Sequence, residues 1–197
     1  MKELKNLFSQ QGKLSKILTD YSTREGQTEM ALDINLAIQE KTSLIIEAGT
    51  GIGKTFAYLA PVLMNGKKTI ISTGTKTLQD QLYNRDLPLL ASVLGRSIST
   101  SLLKGRSNYL CLHRLDDAHS SDKTIVNDLR IINEWKSQTD TGDLSELIGI
   151  SENSGVWPLV TCTKDNCPDP SYDKCYFFKA RKLAQNSDLS VINHHLL

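Results

Sequence analysis

At 197 residues, 39% apolar and with a formal net charge of +1, the chain has room for one hydrophobic core carrying an inserted subdomain, and not for two independent domains of typical size. The apolar run AYLAPVLM at 57–64 is far short of the roughly 20 residues that cross a bilayer, which excludes a membrane-spanning segment and a membrane partner. The N-terminal MKELKNLFSQQGKLSKIL mixes charge into its apolar residues, unlike a secretory signal, so the expected compartment is cytoplasmic and the four cysteines are not expected to form disulfides.

Taken in chain order, REGQTEMALDINLAIQEK sets Met30, Ile34, Ala37 and Ile38 at helical spacing and predicts an amphipathic helix over 25–40. TSLIIEA (42–48) predicts a short apolar strand. KTFAYLAPVLMNG predicts a helix closed by Asn65 and Gly66 and kinked at Pro61. KKTIIST predicts a second strand, TKTLQDQLYNRDL a helix stopped by Pro88, ISTSLLKG a third strand and SDLSVIN (187–193) a fourth. Strands alternating with helices imply an α/β fold built on a parallel sheet. Between the third and fourth strands the pattern changes: residues 111–175 hold all four cysteines, one helix (TIVNDLRIINEWKSQ) and a stretch rich in Asp, Asn, Pro and Ser. The expected organisation is therefore a sheet domain over 1–110, an insertion over 111–175 and a return to the sheet domain over 176–197.

IIEAGTGIGKTF (45–56) runs from a predicted strand through glycines into a predicted helix. Ala48, Gly53, Lys54 and Thr55 fit the Walker A pattern with alanine in its first position. Gly49 and Gly51 remove side chains that would hold the backbone off a phosphate, and Thr50 and Ile52 complete the loop. Backbone N–H groups of such a loop and of the helix that follows point at the β-phosphate of a nucleotide. Lys54 would reach the β- and γ-phosphates of ATP and the Thr55 hydroxyl would hold Mg²⁺, which makes these two the candidate catalytic residues.

Fifty residues separate Cys111 from Cys162, four separate Cys162 from Cys167 and seven separate Cys167 from Cys175. No tight C-x₂-C pair of the kind that aims two thiolates at one zinc ion is present, whereas an iron–sulfur cluster tolerates wider and uneven spacing. Iron–sulfur, zinc and unligated core cysteines are the three readings the spacing leaves open, although CTKDNCPDPSYDKC has almost no apolar residue to bury with its thiols. Basic residues gather around the cysteines: Lys104, Arg106 and Arg114 near the first, and Lys174, Lys179, Arg181 and Lys182 near the last. So do Tyr109, Trp157, Tyr172, Tyr176, Phe177 and Phe178, a composition suited to stacking nucleic-acid bases and equally to packing a small core.

EAGTGIGKT, ISTGTKTLQDQL, LLKGRSNYLC and VINHHLL, in this order and with the cysteines between the third and fourth, resemble the first motor lobe of the superfamily 2 iron–sulfur helicases of the DinG/XPD group, most closely its bacterial DinG/YoaA branch. The resemblance runs from about residue 10 to the end and implies an incomplete P-loop RecA-like lobe interrupted by an iron–sulfur subdomain. It further implies a [4Fe-4S] cluster on Cys111, Cys162, Cys167 and Cys175. Gln27, with Arg24 nearby, is expected to meet the adenine base, a contact an amide can make bidentately. Ser72, Thr73, Gly74 and Thr75 match the segment whose hydroxyls and N–H groups touch the phosphates of single-stranded DNA. His194 and His195 match a structural position.

As the resemblance has it, the intact proteins are ATP-dependent DNA helicases of repair and replication, acting 5′ to 3′ on forked or tailed duplexes, with a replication or repair protein as a possible partner. The DEAH box, the second RecA-like lobe and its arginine finger are absent from these 197 residues. The resemblance therefore leads us to expect weak nucleotide binding without hydrolysis, and a sheet with exposed edges that expresses poorly. Two other classes stay in view: a P-loop ATPase or kinase with a zinc-stapled insert, and a non-catalytic single-strand-binding module.

Overall fold

A computed structural model describes residues 1–167 and 173–196, which fall into two units: Met1–Ser101 with Ser187–Val191, and Leu102–Asn186 with Ile192–Leu197.

In the first unit, α1 (Lys2–Leu7) buries Leu4 and Leu7, and the Tyr21 hydroxyl donates to the carbonyl of the buried Phe8 at 2.8 Å. Helix α2 (Glu25–Glu40) forms over the predicted span and packs against α3 (Lys54–Asn65). The face it buries differs from the one the apolar spacing marks. Gln27, Ala31 and Asn35 are its buried residues, whereas Met30, Ile34, Ala37 and Ile38 line an open groove with Leu44 and Ile46. The reason is that polar contacts pin this helix pair at both ends: Gln27 Nε2 donates to the Gly53 carbonyl (2.9 Å) and Asn65 Nδ2 to Asn35 Oδ1 (3.0 Å). Ala31, with 0% exposure, lets the two backbones approach between those contacts. Helix α3 runs without a break through Pro61, which is buried.

The predicted strand at 42–48 does not form. Residues 42–49 carry no secondary structure and Ile45 is 98% exposed. A strand is defined by its ladder of hydrogen bonds, and among the described residues no segment pairs with this one.

The remaining predicted strands appear as β1 (Thr69–Thr73), β2 (Thr100–Leu103) and β3 (Leu189–Asn193), hydrogen-bonded in the order β1–β3–β2. Their N-terminal ends lie level: Thr69 N donates to Asp188 O (2.8 Å), and Asp188 N and Leu189 N donate to Ser99 O (3.0 and 3.1 Å). Such alignment makes the sheet parallel, as the alternation of elements implies. The helix after β1 is not stopped by Pro88. It runs as α4 (Lys76–Gln81), passes through a π turn at Leu82–Asp86 and continues as α5 (Leu87–Leu94). Pro88 sits in the first turn of α5, directly after the π turn, where the break in the regular i→i−4 ladder accommodates a residue without an N–H. Leu59 and Leu63 from α3, Leu82 from the π turn and Leu87 and Leu90 from α5 are all buried, and each contributes about 2 kcal/mol of apolar burial.

The second unit holds α6 (Leu112–Asp117), α7 (Lys123–Lys136), α8 (Trp157–Val160) and α9 (Tyr176–Asn186). Helix α7 covers the predicted span and starts at Asp122, whose Oδ1 accepts from Thr124 N at 2.7 Å. One apolar cluster organises this unit, built from Tyr109, Leu110, Leu115, Ile132, Val156 and Val160 with Leu129 and Tyr176. Beside it lies a buried ion pair: Lys104 Nζ meets Asp143 Oδ2 at 2.8 Å and donates to Ser145 Oγ at 2.9 Å, while the Lys104 N–H donates to the Tyr109 hydroxyl at 3.1 Å. Among the described residues no helix is long and apolar enough to cross a membrane.

Candidate functional site

The phosphate loop at 48–55 closes onto α3. Gly51 (φ +82°) and Gly53 (φ +85°) both take the left-handed backbone that glycine adopts without strain. The first internal hydrogen bond of α3 runs from Ala57 N to Gly53 O at 3.2 Å, so the N–H groups of Lys54, Thr55 and Phe56 have no carbonyl one turn back to bond. Donors in that position, reinforced by the helix dipole, suit an anion. The Lys54 amine reaches back over the loop and donates to the carbonyls of Ala48 (2.9 Å) and Gly49 (2.7 Å). It is exposed.

Gln27 and Arg24 stand on the other side of the same loop. Gln27 is 3% exposed, and one amide N–H is committed to Gly53 O. A Cβ at Gly53 would collide with this amide and come 3.6 Å from the Arg24 guanidinium, so both residues lie against the loop. Thr55 lies inside the first turn of α3 and is half-buried.

Within Ser72–Thr75, Gly74 and Thr75 are exposed and Thr73 is buried. Thr75 caps α4, its hydroxyl accepting from Leu78 N at 3.2 Å, and the Thr73 hydroxyl donates to the Thr75 carbonyl at 3.3 Å. The turn is thus held by its own hydroxyls, with Gly74 and Thr75 at its surface.

The second unit carries the four cysteines, all free thiols. Cys111 N donates to Val160 O at 2.8 Å, a bond that brings Cys111, at the start of α6, beside Cys162, just past α8. Burial, followed by the neighbouring Cys111 and Cys167, pushes the Cys162 thiol up to about 12. Arg106 Nη1 donates to Cys167 Sγ at 3.0 Å and its guanidinium lies 4.4 Å from the centre of the Phe177 ring. Three of the thiols are therefore neighbours, and the fourth, Cys175, stands at the N-terminal end of α9. In donor chemistry the set fits a thiolate-ligated inorganic group. In geometry, no three His, Cys, Asp or Glu side chains among the described residues are placed to hold a metal ion.

The cations and aromatics grouped around the cysteines divide. Lys104 is buried in its ion pair, whereas Arg114 is half-buried and donates to the Pro158 carbonyl at 2.7 Å. Tyr109 and Tyr176 belong to the apolar cluster, Phe177 packs edge-on against Tyr109, and Trp157 donates to Ser151 O at 2.9 Å. Their placement is that of core residues and not of an exposed stacking platform. Tyr172 lies outside the described residues. His194 and His195 occupy a 3₁₀ turn, where the His195 N–H donates to the Asn193 side chain at 3.1 Å.

Two contacts here are not marked by the sequence, although their residues are: the hydrogen bond from Gln27 to the Gly53 carbonyl and the one from Arg106 to Cys167 Sγ. Nothing local in the sequence signals either.

Comparison with known proteins decides the family. The family model for DEAD/DEAH box helicases matches residues 24–148. The chain belongs to that family. Among curated DEAD/DEAH relatives, the ATP-dependent DNA helicase YoaA of Haemophilus influenzae is 49% identical over 201 residues, covering 98% of this chain and 31% of that protein. The ATP-dependent DNA helicase YoaA of Escherichia coli K12 is 46% identical over 196 residues, covering 96% and 31%. The 3′-5′ exonuclease DinG of Bacillus subtilis is 31% identical over 194 residues, covering 93% and 21%. The chain spans less than a third of the length of these relatives.

Proposed function

We propose that the chain is the nucleotide-gripping part of an ATP-dependent DNA helicase of the DinG/YoaA kind, acting on single-stranded and forked or tailed DNA in repair or replication. The observation that carries this reading is the phosphate loop, with two left-handed glycines, three helix N–H groups without a carbonyl one turn back and the Lys54 amine folded over it, in a chain whose family is the DEAD/DEAH helicases. In this reading Lys54 leaves its two loop carbonyls for the β- and γ-phosphates and Thr55 holds Mg²⁺. Gln27 and Arg24 meet the base, while the exposed Gly74 and Thr75, with Ser72, meet strand phosphates. The residues present supply grip and not the carboxylate that activates water, so binding without turnover is expected of the chain on its own.

We further propose that Cys111, Cys162, Cys167 and Cys175 hold a [4Fe-4S] cluster. Such a group, when bound, ties distant thiolates into one rigid centre. Supporting it are the three neighbouring thiols, with Arg106 donating to one of them. A 5′ to 3′ direction rests on the resemblance alone.

Two measurements test these assignments. Calorimetric titration should show the chain binding ATP with Mg²⁺, and binding a single-stranded oligonucleotide with an affinity that falls steeply as salt rises; failure to bind ATP sinks the motor reading. Anaerobically prepared chain should contain iron and acid-labile sulfide and absorb visible light until dithionite is added. Cys111→Ser should lose most of that iron while keeping ATP affinity, whereas zinc in place of iron, or iron content unmoved by the substitution, overturns the cluster.

A further inference from the structure

Segments that lead into the three strands converge on one cavity, at the far end of α3 from the phosphate loop. Helix α3 begins at the loop and rises about 17 Å before it closes at Gly66, while α5 closes at Gly95. Lys67 and Arg96 follow those two caps, and Asp188 stands just ahead of β3. Together these three line a cavity of about 210 Å³ with an apolar floor of Val62, Leu63, Ile98 and Leu189, wholly within the first unit.

The charged groups at this cavity are only partly committed. Asp188 Oδ2 accepts from Ser99 N at 2.9 Å and from Ser99 Oγ at 2.7 Å, which leaves Oδ1 without a hydrogen bond among the described residues. The Arg96 N–H closes α5 on the Ala91 carbonyl at 2.9 Å, but its exposed guanidinium has no hydrogen bond or ion pair among the described residues. Lys67 is exposed and donates from Nζ to the Ile38 carbonyl at 2.9 Å, and the next residue, Lys68, is exposed as well. Three cations against one carboxylate leave the mouth with a surplus of two positive charges.

We propose that this cavity is the docking site for the C-terminal residue of an acidic tail on a partner protein. The terminal α-carboxylate pairs with Arg96, whose planar fork matches it in two parallel hydrogen bonds. The backbone N–H of the same residue donates to Asp188 Oδ1, and its aliphatic side chain rests on the floor. The volume is below the roughly 300–1,000 Å³ of a drug-sized site and suits a single residue. Surplus charge selects a tail over a free amino acid, because a zwitterion brings no net charge, whereas a terminal carboxylate with an acidic side chain before it offsets both positive charges. The site is separate from the phosphate loop and does not rest on the ATP reading.

The test is a fluorescence-anisotropy titration of the unmodified chain with a labelled hexapeptide, five glutamates followed by a C-terminal leucine with a free carboxylate. Saturable binding is expected, at least tenfold weaker for the same peptide as its C-terminal amide and for a peptide with the leucine moved to the front. Arg96→Ala should weaken the free-acid peptide about tenfold, the worth of a hydrogen bond to a charged group, and bring acid and amide to the same affinity. Arg96→Lys should recover only part of the loss. Both variants keep the backbone bond that closes α5, and Lys54→Ala should change none of these values. Absence of binding overturns the proposal, as do equal affinities for the acid, amide and reordered peptides, which would mean charge attraction alone. Displacement by free leucine as effective as by unlabelled peptide would make the ligand an amino acid, and displacement by a single-stranded oligonucleotide would make the surface a nucleic-acid contact; either result overturns it too. The acid and amide comparison needs only the unmodified chain, so it decides even where a variant fails to fold.

Discussion

Gly53→Ala is expected to weaken ATP binding about a hundredfold. At φ +85° an alanine bears about 1–2 kcal/mol of left-handed strain. Its Cβ would also strike the Gln27 amide, and displacing that amide forfeits a hydrogen bond worth about 1 kcal/mol. The free chain can relieve both by letting the loop relax. A bound nucleotide cannot, because its phosphates require the N–H groups of Lys54, Thr55 and Phe56 to converge. The strain therefore appears as lost affinity, and about 2.7 kcal/mol is a hundredfold. Gly51→Ala is the internal comparison: its φ is +82° but nothing lies within 4 Å of the new Cβ, so it should lose only the strain component. Equal affinities for ATP in the two variants, measured by calorimetry, would refute the latch between Gln27 and the loop.

Lys104→Met is expected to destabilise the second unit by about 3–5 kcal/mol, because it strands the Asp143 carboxylate without its partner in a buried setting. Typical stabilities are about 5–15 kcal/mol in total, so this loss would leave a large fraction of the unit unfolded near body temperature. Both tryptophans of the chain, Trp135 and Trp157, lie in this unit, so their fluorescence during urea unfolding reports on it alone. The double variant Lys104→Met/Asp143→Asn should recover much of the loss, since asparagine removes the stranded charge and keeps an oxygen for Ser145 N, which Asp143 Oδ1 now accepts at 3.0 Å. A single variant as stable as the parent would mean that the pair contributes nothing.

Legibility in the sequence tracks how local each interaction is. The phosphate loop could be read because its chemistry is a run of backbone angles, and Gly51 and Gly53 adopt the ones that glycine permits. Helices α2 and α7 could be read from periodicity, and β1, β2 and β3 from apolar runs beside turns. The buried face of α2 could not, because Gln27 and Asn35 are polar and are buried only through bonds to Gly53 and Asn65, residues far along the chain. Pro88 looks like a stop by its chemistry and starts a helix in fact, since the π turn ahead of it resets the register. Residues 42–48 have the composition of a strand, yet strand formation depends on a neighbour and composition names none. The Lys104–Asp143 pair reads as two scattered surface charges until the chain between them is folded.

The moored amine of Lys54 has a consequence for selectivity. An ammonium already engaged by two carbonyls is not an open invitation to any passing anion, because an incoming ion must outcompete both attachments before it gains the charge. On the proposed reading, chloride brings no pair of oxygens to replace them, whereas the tail of a triphosphate would replace both at once and meet the helix N–H groups as further donors. A loop of that kind would sort anions by phosphate valence more than by charge alone.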